Sequence, residues 1–189
     1  MEVNKLFDLL GPQLELLKKD GGITFSGGEP LLQSEALTQL AKLCKEAGYH
    51  TALETSGIVP LAAIERIHPF IDTWLLGMRL VTSDDPAERN HLEKYTRQTM
   101  NYLKHSDVLV RIPVIPGFTT TEYYLTLTRQ ILENYRQAHI EILPMNPETA
   151  HYYQAIGQTS EITYDESQAA RLYEYVCEFL NIKTLNKQV

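Results

Sequence analysis

The chain has 189 residues and carries 17 Lys plus Arg against 24 Asp plus Glu, a formal net charge of −7. That length suits one domain burying roughly 70% of the surface its unfolded form exposes, and the acidic balance argues against nucleic acid as the main partner. No run approaches the ~18 consecutive apolar residues that span a bilayer, and the N-terminus has no signal-peptide pattern, so the expectation is a cytoplasmic location with no membrane attachment.

Val3 to Leu10 reads as a helix. Ile23, Thr24 and Phe25 form a short β-branched and aromatic run, read as a buried strand ending in Gly27 and Gly28. Ser34 stands where a cap would open the next helix. From Ser34 to Ala47, Leu37, Leu40, Ala41 and Cys44 share one helical face, and Gly48 marks the stop. Thr51 to Leu53 is the next strand, Pro60 to Ile67 a short helix, and Thr73 to Leu76 a third strand around Trp74. Asp85 caps a helix with Pro86 in its first turn and Glu88 completing a capping box. Val108 to Val114 is a fourth strand, Glu122 to Tyr135 a helix and His139 to Leu143 a fifth strand. An amphipathic helix from Asp165 to Leu180 carries Ala169, Leu172, Tyr173, Val176 and Phe179.

Repeated βα units predict an α/β fold, a parallel sheet with right-handed crossovers, as a single domain over residues 1–189. Cys44 and Cys177 lie far apart on separate helices and read as reduced packing residues; two cysteines at that separation make neither a zinc site nor a cluster site. His50, His68, His91, His105, His139 and His151 read as surface or strand-end residues, because none has a second ligand at metal-binding spacing. The pairs Tyr123 with Tyr124 and Tyr152 with Tyr153 fit helix packing and an amphipathic surface better than a base-stacking platform.

The segment from Gly21 to Gln33, GGITFSGGEPLLQ, carries the most chemistry. Its glycines let the backbone turn and approach a ligand at the strand's C-terminal end, where functional loops of parallel α/β sheets collect. Glu29 supplies an anionic acceptor for a cationic group. The same residues also suit a tight strand-to-helix turn, with Pro30 stiffening the exit and Glu29 solvated.

GGITFSGGEPLLQ, the TALETSG at Thr51 to Gly57, the VRIPVIPGFTTTE at Val110 to Glu122 and the EILPMNPE at Glu141 to Glu148 resemble, in sequence and order, the radical S-adenosylmethionine family. The likeness is to glycyl-radical-enzyme activating enzymes of the pyruvate formate-lyase activase type. It implies a partial (β/α) TIM-like barrel of about five or six parallel strands, here missing the first strand of the family fold. In that family three cysteines spaced CxxxCxxC hold a [4Fe-4S] cluster whose fourth iron chelates S-adenosylmethionine. Electron transfer then yields a 5′-deoxyadenosyl radical, which takes a hydrogen atom from a glycine of a partner enzyme. This chain starts after the cysteine loop, so the resemblance implies a truncated core domain that is inactive alone and binds S-adenosylmethionine weakly. It also implies a glycyl-radical enzyme as partner. The alternative is a non-catalytic module that binds S-adenosylmethionine or docks a partner. The strand at Ile23 to Phe25 then lacks a neighbour, and its edge calls for pairing with another chain, as in self-association, or for coverage by the N-terminal helix.

Carried over residue by residue, Ser26, Gly27, Gly28 and Glu29 match the segment that receives the methionine ammonium group. Glu54 and Thr55 match an acidic residue and a threonine near the methionine carboxylate, in some members with a monovalent cation; a strand end whose threonine caps a turn is the competing reading. Where the activating enzymes show Asp-Leu-Lys, this chain has Gly77, Met78 and Arg79. That removes a cation ligand and leaves Arg79 to face a carboxylate with a planar fork in place of an ammonium. Where they show Leu-Pro-Tyr-His, it has Leu143, Pro144, Met145 and Asn146, and Asn146 cannot titrate. Arg111 matches a polar inward position, or belongs to a buried structural ion pair. Gly117 lies in the loop that shapes the adenosyl pocket, or serves the backbone of its turn.

Overall fold

A computed structural model describes residues 2–17, 21–80, 85–135, 138–160 and 162–182. Among them, β1 (Gly22–Phe25), β2 (His50–Thr55), β3 (Thr73–Gly77), β4 (Asp107–Pro113) and β5 (His139–Leu143) form one parallel sheet in the order β1-β2-β3-β4-β5. Between them run α2 (Ser34–Glu46), α3 (Leu61–Ile67), α4 (Pro86–Tyr102) and α5 (Glu122–Leu132); α1 (Val3–Leu17) precedes β1, and α6 (Thr149–Ala155) and α7 (Glu166–Leu180) follow β5. Strands laid down in chain order with right-handed crossovers carry their helices on one face. The sheet is therefore a half-barrel, with one face packed under helices and the other open.

Strand alternation separates the two faces. Phe25, Leu53, Trp74, Leu76, Val108, Val110 and Ile112 point into the helix layer, where they meet buried Ala41, Cys44, Ile64, Ile67, Leu125, Ile131 and Val176. Register places Phe25, Leu53, Trp74 and Val108 in one row across four strands. Burying one such side chain contributes about 1.5–3 kcal/mol before entropy is counted. The open face carries Glu54, Leu75, Leu109, Arg111 and Glu141, all only partly buried. Cys44 and Cys177 are free, buried thiols, and burial raises both above the ordinary cysteine range.

Several elements differ from the expectations. α1 runs on through Gly11 and Pro12 to Leu17, and its Leu14 is buried in the core. Ser34 does not cap α2. A 3-10 turn, Pro30–Gln33, intervenes, capped by the Glu29 carboxylate, which accepts from Leu31 N–H at 3.2 Å, and Ser34 becomes the first residue of α2. β2 extends to Thr55, so its tip reaches the GGEP loop. β4 stops at Pro113, one residue short of the expected end, and α5 stops at Leu132 instead of Tyr135. Asp85 does cap α4, accepting from Ala87 N–H at 2.9 Å. Gly48 takes φ +84° beyond α2, which lets Tyr49 N–H return to the Cys44 carbonyl at 3.0 Å. His68 is not a plain loop residue: its ring lies 6.0 Å from that of Trp74 and its Nε2 is 2.9 Å from Ser106 Oγ. α1 packs against β1 and α2, and among the described residues β1 pairs only with β2.

Candidate active site at the strand tips

The C-terminal ends of the parallel strands open onto one rim, and the hydrogen bonds there fall into two linked sets. The first ties β1 to β2. Glu29 Oε1 accepts from Thr55 Oγ1 at 2.7 Å, while Oε2 accepts from Ser56 N–H at 2.9 Å and Ser56 Oγ at 2.7 Å. With the Leu31 N–H bond included, the carboxylate is filled by protein donors. Thr55 Oγ1 in turn accepts from Gly57 N–H at 3.0 Å. Both the binding and turn readings of Glu29 missed this: the side chain is neither solvated nor vacant, but staples the glycine loop to the next strand.

The second set crosses the open face. Ser26 Oγ donates to Glu54 Oε2 at 2.9 Å, Arg111 Nη1 donates to Glu54 Oε1 at 2.8 Å, and Arg111 Nε donates to Glu141 Oε2 at 2.8 Å. Register explains the reach. Arg111 stands opposite Gly77 on β3 and opposite Glu141 on β5, and its guanidinium reaches across β3 to meet Glu54 on β2. Partial burial alone would lower the Arg111 pKa; the bonds to Glu141 and Glu54 outweigh it and hold the group above its ordinary value. Arg111 is ion-paired, but the pairs lie on the open face and are partly exposed, not buried.

Gly27 adopts φ +143°, a conformation that disfavours a side chain, and a Cβ at either Gly27 or Gly28 would meet open space. Both glycines are exposed, so backbone is presented at the rim. Arg79 is exposed beside the tip of β3, with its Nε 3.6 Å from where a Cβ at Gly77 would lie. Below it Tyr124, fully buried on α5, donates from its hydroxyl to the Met78 carbonyl at 3.0 Å and fixes the course of the chain into Arg79. Asn146 turns its Oδ1 to Glu148 N–H at 2.9 Å, opening the turn into α6. Among the described residues neither Arg79 nor Asn146 bonds to the Ser26–Glu54–Arg111 set. Gly117 has φ +76° and open space around it, in the loop after β4. Glu141 and Ser56 are the site residues that the sequence reading omitted. The signal for Glu141 was present: it lies between half-buried Ile140 and buried Ile142 and carries the charge opposite to Arg111.

Neither cysteine suits an iron–sulfur cluster. Cys44 lies on α2 and Cys177 on α7, both inside the helix layer and away from the rim, and the described residues hold no group of three or more His, Cys, Asp or Glu placed to share a metal ion. The rim instead presents side-chain-free backbone at Gly27 and Gly28, a hydroxyl at Ser26, and a carboxylate at Glu54 that is 41% exposed.

An open parallel half-barrel with a glycine loop and a carboxylate–guanidinium chain at its strand tips is an α/β domain of the partial TIM-barrel class. Residues 11–129 match the Radical SAM superfamily, and the chain belongs to that family. It is 30% identical over 173 residues to the pyruvate formate-lyase-activating enzyme of Clostridium pasteurianum, covering 86% of this chain and 71% of that protein. It is 25% identical over 171 residues to the indoleacetate decarboxylase activating enzyme of Tractidigestivibacter scatoligenes, covering 86% of this chain and 53% of that one. The chain thus spans between about half and about seven-tenths of these relatives. Among solved structures, a domain of pyruvate-formate lyase-activating enzyme from Bacteroides vulgatus matches with TM-score 0.58 at 22% identity, over 84% of this chain and 94% of that one. A radical SAM methyltransferase from Sphaerobacter thermophilus matches with TM-score 0.64 at 16% identity, over 96% of this chain and 56% of that one. At these identities the two structures bear on the fold alone. No helix among the described residues is long and apolar enough to cross a membrane.

Proposed function

We propose that this chain is the core of an activating enzyme that, when complete, makes a glycyl radical on a partner enzyme, and that its strand-tip rim is the seat of S-adenosylmethionine. The observation that carries the reading is the direct linkage of Ser26, Glu54 and Arg111 across β1, β2 and β4 at the end of the sheet where a parallel α/β fold holds its ligands. S-adenosylmethionine, when bound and reduced by a cluster, supplies the abstracting radical. The residues of this chain bind and orient it. The exposed backbone of Ser26, Gly27 and Gly28 receives the ammonium group, with Glu29 shaping that loop from behind and reaching the ligand only by releasing a bond to Ser56. Glu54 and Arg111 line the floor, Arg79 and Asn146 flank it, and Thr55 keeps the Glu29 staple closed.

The reading that the chain alone is inactive is supported by its two cysteines, Cys44 and Cys177, which lie buried on separate helices away from the rim. Reconstitution with iron and sulfide under reducing conditions tests this: no 5′-deoxyadenosine is expected, and robust reductive cleavage would overturn the inactivity. Titration of the chain with S-adenosylmethionine, followed by ligand-observed NMR at millimolar concentration, tests the seat, and broadening that Glu54→Ala abolishes is the expected result. The second reading, a binding or docking module with a degenerate site, is favoured by Glu29 being filled by protein donors. Full cleavage activity on mixing with a separate cluster-bearing segment would set that reading aside.

A further inference from the structure

We infer that Glu141 is a specificity-determining residue, which fixes Arg111 and balances its charge so that the open face keeps a surplus negative charge selecting a sulfonium ligand over its neutral thioether. This rests on the rim being the seat of S-adenosylmethionine.

The charges of the bonded set are explicit. Glu54 and Glu141 bring two carboxylates to it, and Arg111 brings one guanidinium group. One negative charge is left over, and Glu141 is the residue that makes the difference. Without its charge, Glu54 and Arg111 would neutralise each other, leaving the set with no net sign. His139 lies two residues before Glu141 on the same face, but at the opposite end of β5. Glu141 is also bound to its task by geometry. It takes the Nε of Arg111, the donor nearest the backbone, while Glu54 takes Nη1, and a guanidinium gripped at both points cannot swing out to meet a ligand cation with its own charge.

The side chains involved are between a quarter and two-fifths exposed, with Arg111 at 26%, Glu54 at 41% and Glu141 at 39%. Solvent therefore screens the effect without abolishing it. One unit charge acting over the width of this face in an effective dielectric well above that of a dry interior changes a binding constant by about 3- to 10-fold.

The test compares S-adenosylmethionine with S-adenosylhomocysteine, which differ in the methyl group and the charge it places on sulfur. Affinities of both are measured by NMR titration for the wild-type chain, Glu141→Gln and Glu141→Asp. Gln keeps an acceptor for Arg111 Nε but removes the charge; Asp keeps the charge. The expected result is that Glu141→Gln loses about 3- to 10-fold of the preference for S-adenosylmethionine at unchanged affinity for S-adenosylhomocysteine, and that Glu141→Asp retains the preference. Loss of affinity for both compounds alike, or no change in either, overturns the role of Glu141 and leaves the seat standing. Failure of the wild-type chain to bind either compound overturns the seat itself, and this inference with it.

Discussion

Thr55 Oγ1 donates to Glu29 Oε1 at 2.7 Å, joining the tip of the second strand to the loop that follows the first across 26 residues of sequence. With the two bonds from Ser56, this contact gives the glycine loop its shape before any ligand arrives.

Replacing Glu29 by Ala leaves the Thr55 hydroxyl and the Ser56 and Leu31 N–H groups without their acceptor. Hydrogen bonds to a charged group are worth about 1.5–3 kcal/mol, and they are not additive within one cluster. The expected loss is about 2–3 kcal/mol in urea unfolding, with Glu29→Gln in between because its amide accepts at one atom only. An unchanged midpoint for Glu29→Ala would show that the staple is idle.

Tyr124→Phe deletes the hydroxyl that supports Met78. About 1 kcal/mol of stability is expected to go. Burial pushes the Tyr124 phenol far above the usual tyrosine range, so the folded chain keeps it neutral where the unfolded chain ionises it. Its contribution is complete below the unfolded value of about 10 and fades as pH rises above it. Stability measured from pH 9 upward should therefore fall more steeply for wild type than for Tyr124→Phe.

Asp72 governs the acid side. Burial alone would raise its pKa, but Lys45 and the Thr51 N–H and hydroxyl more than compensate and hold it below the ordinary aspartate value. A lowered folded value means stability that is present above about pH 4 and lost as pH falls through the folded pKa. Asp72→Asn should lower stability at neutral pH and flatten the acid limb of the profile, read by denaturant midpoints at stepped pH.

Gly57 sits at φ +70°, and a Cβ there would lie 2.7 Å from Leu76 Cδ1 and 3.0 Å from Thr99 Cγ2. Gly57→Ala combines a left-handed backbone with overpacking and should cost about 1–3 kcal/mol. Thr99→Ala would relieve part of the crowding while losing the bond of its hydroxyl to the Gly57 carbonyl at 2.7 Å. The double variant is therefore expected to fall short of the sum of the single ones.

What the residues announced and what they hid divides along local and distant physics. The five strands and the helices with a buried stripe were legible because alternation and helical periodicity are written within a few residues. α6 was missed because Thr149–Ala155 has no buried residue, and periodicity reports only a face that is buried. The 3-10 turn was missed because Pro30 reads equally as a turn residue and as a first helical residue, and only the Glu29 cap distinguishes them. At the site, Glu29, Thr55, Glu54 and Arg111 stood out through a family likeness, but their pairings did not. The Arg111 bonds to Glu54 and Glu141 span 57 and 30 positions, and they depend on sheet order, which no window of sequence contains.

The clamp on Arg111 draws on the second, fourth and fifth strands, with the third lying between its ends. A chain that has built only its first half owns Glu54 but nothing to balance it, and a chain that has built only its last half holds Arg111 by one side. The clamp therefore exists only once the second to fifth strands stand side by side, so a fully held Arg111 reports that every intervening unit is in place.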